Sequence, residues 1–140
     1  YASVSTSIEG TRPLVLVAHA WRGQDDFARA MADGLAALGY VGVAMDMYGR
    51  GVHADDSQEA ASLMQPFASD RAYMRERMVA NLEAALEIDE VDPGRVGAIG
   101  FCFGGMCVLE LARSGADIAA VTSFHGMLDT GVNVLKSLRK

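Results

Sequence analysis

Cys102 stands in the run Gly100-Phe101-Cys102-Phe103-Gly104-Gly105, which follows the apolar stretch Val96-Gly97-Ala98-Ile99. A nucleophile held on a sharp turn between a strand and a helix needs small flanking residues, because side chains there would clash with neighbouring backbone. Cysteine gains twice from such a place. Its thiolate lies at the positive end of the following helix, which favours the charged form. The N–H of the next residue, Phe103, also points to where an oxyanion forms when a carbonyl is attacked. The pattern therefore predicts Cys102 as an acyl-transfer nucleophile and Phe103 as an oxyanion donor. The plainer alternative is a buried cysteine in a tight turn.

A second run, His19-Ala20-Trp21-Arg22-Gly23, closes the first long apolar stretch. In a parallel sheet, ligands bind at the carboxyl ends of strands, so this loop should face the same crevice as Cys102. Its best candidate for a second oxyanion donor is the backbone N–H of Trp21. The bases suited to activating a thiol are His19, His53 and His125. His19 reads best as a hydrogen-bonded structural residue and His53 as part of a solvated loop. His125 ends a strand on the correct edge of the sheet. Cys107 falls on an inward helical position and reads as core. Arg71 and Arg75, one turn apart, read as a solvated helix face, with contact to a substrate anion as the alternative. The scattered His and Asp residues lack the spacing of a metal site, and no cofactor motif is present.

These residues need elements to hold them. The segments 11–18 and 40–47 are strand-length apolar runs of the kind found in parallel sheets covered on both faces. Phe27, Met31, Leu35 and Leu38 predict an amphipathic helix over 24–38, closed by Gly39. A polar loop with a short helix around 57–64 follows. Pro66 suits the first turn of a long helix carrying Met74, Met78, Leu82 and Leu86. Asp92-Pro93-Gly94 predicts a tight turn, then a strand over 95–99, a helix over 103–113 and a strand over 118–124. Strand and helix alternate four times, which predicts a doubly covered parallel sheet. The segment 127–140 reads as a short helix or a connection.

At 140 residues the chain is one domain, 1–140, long enough for a core yet short for a complete α/β enzyme. It begins at Tyr1 rather than Met, which predicts residues upstream. Its net charge of −6 and the lack of a dense basic cluster argue against nucleic acid. No apolar run approaches the ~20 residues of a membrane span, and no signal peptide is visible. Cys102 and Cys107 diverge along one turn and helix and cannot bridge. Reduced thiols and a cytoplasmic setting are expected.

Three segments taken together resemble the dienelactone hydrolase family of the α/β-hydrolase superfamily. They are Val91-Asp92-Pro93-Gly94-Arg95 with the Cys102 run, Leu38-Gly39-Tyr40 through Asp46-Met47-Tyr48-Gly49-Arg50, and the His19–Gly23 loop. The resemblance implies an α/β-hydrolase fold, of which this chain holds the N-terminal part. It implies a hydrolase of carboxylic esters or lactones, with Cys102 as nucleophile and the Phe103 and Trp21 N–H groups as oxyanion hole. Activated aryl esters and phosphotriesters are further conceivable substrates. Two departures stand out. Where the family commonly has a glutamate that helps generate the thiolate, this chain has Ala20, and Arg22 beside it adds a cation at the mouth of the site. The family's acid and histidine follow the nucleophile after two further strands, past Lys140. A second chain or swapped segment could complete both the sheet and the triad. Two other functions fit less well. Glutamine amidotransferases share the Gly-x-Cys-x-Gly elbow but continue with a His-like residue and Gln, where Gly105 and Met106 stand here. A non-catalytic fragment could serve as a binding module.

Overall fold

The run Leu14-Val15-Leu16-Val17 is apolar on both faces, and it forms the centre of the sheet. The computed structural model describes residues 1–129. In chain order the elements are β1 (Ala2–Val4), β2 (Arg12–Ala18), α1 (Asp26–Ala37), β3 (Val41–Ala44), α2 (Ser57–Ser69), α3 (Arg71–Leu86), β4 (Val91–Phe101), α4 (Phe103–Arg113) and β5 (Ala120–Phe124). The sheet order is β1-β3-β2-β4-β5. The three pairings that join β3, β2, β4 and β5 are parallel, and β1 adds an antiparallel edge to β3. That short edge strand was not foreseen, because three polar-flanked residues carry no period of their own.

Alternation along β2 sends Leu14, Leu16 and Ala18 into one core with Met74, Met78, Phe103, Met106 and Leu111. Val17 goes to the other face, against Ala28 and Ala32 of α1. The sheet is thus covered on both sides, as its apolar strands required.

Three local expectations are corrected. The sheet-facing side of α1 is Ala28, Ala32 and Ala36, while Phe27 and Leu38 are 52% and 76% exposed. The cause is Gly42 in β3, where a Cβ would overlap the backbone of Ala32. The helix lies so close that only alanines fit directly beneath it; Met31 and Leu35 pack at the flank of this face, and Phe27 and Leu38 turn outward. Pro66 does not open the long helix. It sits inside α2, and α3 begins after Asp70, whose carboxylate accepts the Tyr73 N–H. Finally, Asp92-Pro93-Gly94 does make a turn, with Asp92 Oδ1 accepting the Gly94 N–H, but the turn lies within β4. Pro13 pairs with Asp92 and Leu14 with Val96, so residues 93–95 bulge out of the ladder. The short helix or connection expected over 127–140 falls mostly outside the described residues.

Candidate active site

Strand β4 ends at Phe101 and helix α4 starts at Phe103, leaving Cys102 alone between them at φ 54° and ψ −113°. A positive φ is costly for any residue with a Cβ, about 1–3 kcal/mol, and persists only where the surroundings dictate it. The surroundings here are close backbone contacts. A Cβ on Gly100 would overlap the carbonyl of Gly104, and a Cβ on Gly104 would overlap the carbonyl of Ala18. The first turn of α4 therefore rests directly on the end of β2 and the start of the His19 loop. The Cys102 N–H is satisfied by the Phe124 carbonyl of β5 at 3.0 Å. Its thiol is partly exposed, whereas Cys107 one turn further on is fully buried. Burial pushes the Cys107 thiol up, so that it stays protonated.

Phe103 is buried, and its ring stacks on Tyr48 with centroids 5.6 Å apart. Phe67 approaches the same ring edge-on at 5.9 Å. Tyr48 also reaches the other loop, its hydroxyl donating to the Trp21 carbonyl at 2.9 Å. The side chain of Tyr48 thus ties the residue that opens α4 to the loop that follows β2. Trp21 packs against the main core and sits in a turn closed by the Gly23 N–H to the Ala20 carbonyl at 3.3 Å.

Tyr48 itself is held from below. Asp46 Oδ1 accepts the N–H groups of Tyr48 and Gly49, Asn81 of α3 exchanges hydrogen bonds with the Asp46 backbone, and Arg77 Nε donates to the Met47 carbonyl. The Asp-x-Tyr-Gly run was legible as a loop. That its tyrosine links two candidate oxyanion donors was not, since nothing in the spacing shows where a side chain ends.

The histidines separate clearly. His19 is 1% exposed, with Nε2 accepting the Met47 N–H at 3.2 Å and Nδ1 2.6 Å from the Ala20 carbonyl. Burial holds its imidazole below the ordinary value. Both nitrogens are committed to the backbone, which matches its structural role. His53 lies exposed in a loop, 3.9 Å from Asp55 Oδ1. His125 is exposed at φ 44°, directly after the residue whose carbonyl receives the Cys102 N–H.

The arginines are corrected. Arg75 is not a free cation. Its Nη1 lies 2.6 Å from Glu110, a carboxylate of α4 that is fully buried and is also met by Arg113 at 2.8 Å. Arg22 does not aim at the crevice either, since its Nη1 donates to the Asp55 carbonyl at 3.3 Å. Among the described residues, no group of three or more His, Cys, Asp or Glu side chains is placed to hold a metal ion. No helix among them is long and apolar enough to cross a membrane.

The chain is similar to known proteins in sequence and in fold. The sequence profile of the dienelactone hydrolase family matches residues 1–138. A carboxymethylenebutenolidase of Pseudomonas putida is 29% identical over 144 aligned positions, covering 99% of this chain and 58% of the relative. The solved structure m3DLH is 40% identical with a TM-score of 0.88, over 91% of this chain and 53% of that one. A dienelactone hydrolase-like promiscuous phosphotriesterase from metagenomic libraries is 41% identical with a TM-score of 0.85, over 89% of this chain and 52% of that one. The chain thus spans about half the length of the proteins it matches. With its mostly parallel sheet and strand–Cys102–helix turn, this α/β-hydrolase chain belongs to the dienelactone hydrolase family.

Proposed function

We propose that this chain carries the nucleophile of a hydrolase acting on carboxylic esters or lactones, and that Cys102 is that nucleophile. The observation that carries the proposal is the conformation of Cys102, a partly exposed thiol at positive φ between β4 and α4. Backbone strain of this kind clusters at active sites and ligand clamps, where it presents a side chain for chemistry. Membership of the dienelactone hydrolase family supports the same chemistry.

In the proposed reaction Sγ of Cys102 attacks the carbonyl carbon. The backbone N–H groups of Phe103 and Trp21 receive the developing oxyanion, each contributing about 10²–10³-fold. Collapse breaks the bond to the leaving oxygen, which takes up the thiol proton, and leaves a thioester on Cys102. Water then cleaves the thioester, releasing the acid and restoring the thiol. Among the described residues His19 is committed to the backbone. We assign the general base to a histidine beyond Lys140 or on a second chain. The same sequence would extend the sheet beyond β5, whose Phe124 is 44% exposed. We place the protein in the cytoplasm, where its thiols stay reduced.

A second substrate class is favoured by one observation, the 41% identity to a promiscuous phosphotriesterase. A tetrahedral phosphoryl centre also builds negative charge on an oxygen, so the same N–H groups would serve it. The test is a panel of an aryl acetate, a small lactone and an aryl phosphotriester, each with the chain and with Cys102→Ala. Cleavage of the ester or lactone that vanishes in Cys102→Ala is expected. Equal cleavage by the two proteins would contradict Cys102 as nucleophile, and no cleavage by either would leave a binding module as the better account.

A further inference from the structure

Both carbonyls that flank the Trp21 N–H are held by side chains. The carbonyl of Ala20 lies 2.6 Å from His19 Nδ1 and also receives the Gly23 N–H. The carbonyl of Trp21 receives the Tyr48 hydroxyl. On the far side of the imidazole, Nε2 accepts the Met47 N–H, so Nε2 carries the lone pair and Nδ1 carries the proton. His19 is thus a neutral Nδ1–H donor with a fixed ring orientation. Its ring meets that of Tyr48 edge-on at 4.9 Å, which holds the two side chains against each other.

The consequence follows from peptide geometry. The Ala20 carbonyl and the Trp21 N–H belong to one planar peptide unit, and in a trans peptide they point in opposite directions. No cis peptide is present among the described residues. Holding the carbonyl therefore aims the N–H. Rotation of that unit requires compensating rotation of the next one, which Tyr48 restrains through the Trp21 carbonyl. Tyr48 in turn stacks on Phe103, the first residue of α4. The two candidate oxyanion donors are linked through a single aromatic side chain.

We propose that His19 and Tyr48 are positioning residues that aim the Trp21 N–H at the oxyanion, with His19 acting through the Ala20 carbonyl. This rests on the reading that Trp21 supplies one oxyanion donor to Cys102. Neither side chain touches substrate. The role differs from that of a general base, which would need a free ring nitrogen within reach of the thiol.

Two reagents separate aim from mere integrity of the fold. p-Nitrophenyl acetate reacts at Cys102 through a tetrahedral oxyanion, whereas iodoacetamide alkylates the same thiol at a saturated carbon and forms none. His19→Gln places its amide at the Nε2 end and offers no donor at the Nδ1 position. His19→Asn keeps a donor near the Nδ1 position and gives up the Met47 contact. The rates of acylation and of alkylation at Cys102 are measured for each protein. His19→Gln is expected to acylate about 10–100-fold more slowly, with alkylation within about twofold of the unsubstituted chain. His19→Asn is expected to recover most of the acylation rate. Tyr48→Phe, which deletes one oxygen and leaves the stacking in place, is expected to lose about tenfold in acylation alone. It carries the test if His19→Gln does not fold. Parallel losses in both reactions, or equal losses in the Gln and Asn variants, overturn the positioning role. Normal acylation in His19→Gln overturns it while leaving Cys102 as nucleophile. A Cys102 that never acylates in the unsubstituted chain overturns both together.

Discussion

Arg75 and Glu110 form an ion pair of 2.6 Å that joins α3 to α4 across 35 positions of sequence. Glu110 is fully buried, and its second oxygen is met by Arg113 at 2.8 Å, while the two arginines keep 29% and 24% of their side chains exposed. The helix that begins beside Cys102 is therefore fixed at its far end by a buried charge held between two arginines.

Asymmetric exposure gives an asymmetric prediction. Removing Arg75 leaves a buried carboxylate with one partner, and Arg75→Met should cost about 2–3 kcal/mol, less than the full cost of an orphaned buried ion because Arg113 remains. Glu110→Gln removes the buried charge and lets both arginines turn to solvent, at about 1 kcal/mol. Urea unfolding of the two variants checks the order, and a larger loss for Glu110→Gln contradicts it.

The conformation of Cys102 can be tested apart from its chemistry. Alanine and glycine both delete the thiol, but only glycine tolerates φ 54° without strain. Cys102→Gly should be more stable than Cys102→Ala by about 1 kcal/mol. Equal unfolding midpoints would mean that the turn relaxes and that no strain is held there.

His19 should make stability depend on pH. Burial holds its folded-state imidazole below the ordinary value of 6.5. As pH falls through about 6.5, the unfolded chain takes up a proton here that the folded chain refuses, so stability declines. The decline continues until the folded imidazole also titrates, with a slope from this residue of at most about 1.4 kcal/mol per pH unit. Unfolding free energies of the chain and of His19→Gln, measured from about pH 7 down to about pH 5, should converge as the pH drops. A difference that stays constant across that range contradicts the placement of His19.

Much of this was legible from residue types alone. The Val/Leu runs named the parallel strands, and helix α4 begins and ends where the glycines and the polarity change require. The Cys102 turn could be read because close packing leaves a pattern of glycines in the sequence. What stayed hidden depends on partners far along the chain. The alanine face of α1 is decided by Gly42 on another element. Arg75 looks solvated until α4 brings Glu110 beneath it. The bulge at residues 93–95 needs the register of β2 to be seen. Tyr48 is one aromatic among several until its hydroxyl is found on Trp21.

The central claim is that Cys102 attacks the substrate carbonyl. The direct measurement is peptide mass mapping of the chain quenched early in its reaction with p-nitrophenyl acetate. A single acetyl group on the peptide residue Cys102 is predicted, removed by hydroxylamine as a thioester would be, with Cys107 unmodified because it is fully buried. Acetyl found first on Cys107, or on neither cysteine while the ester is being cleaved, would contradict the account.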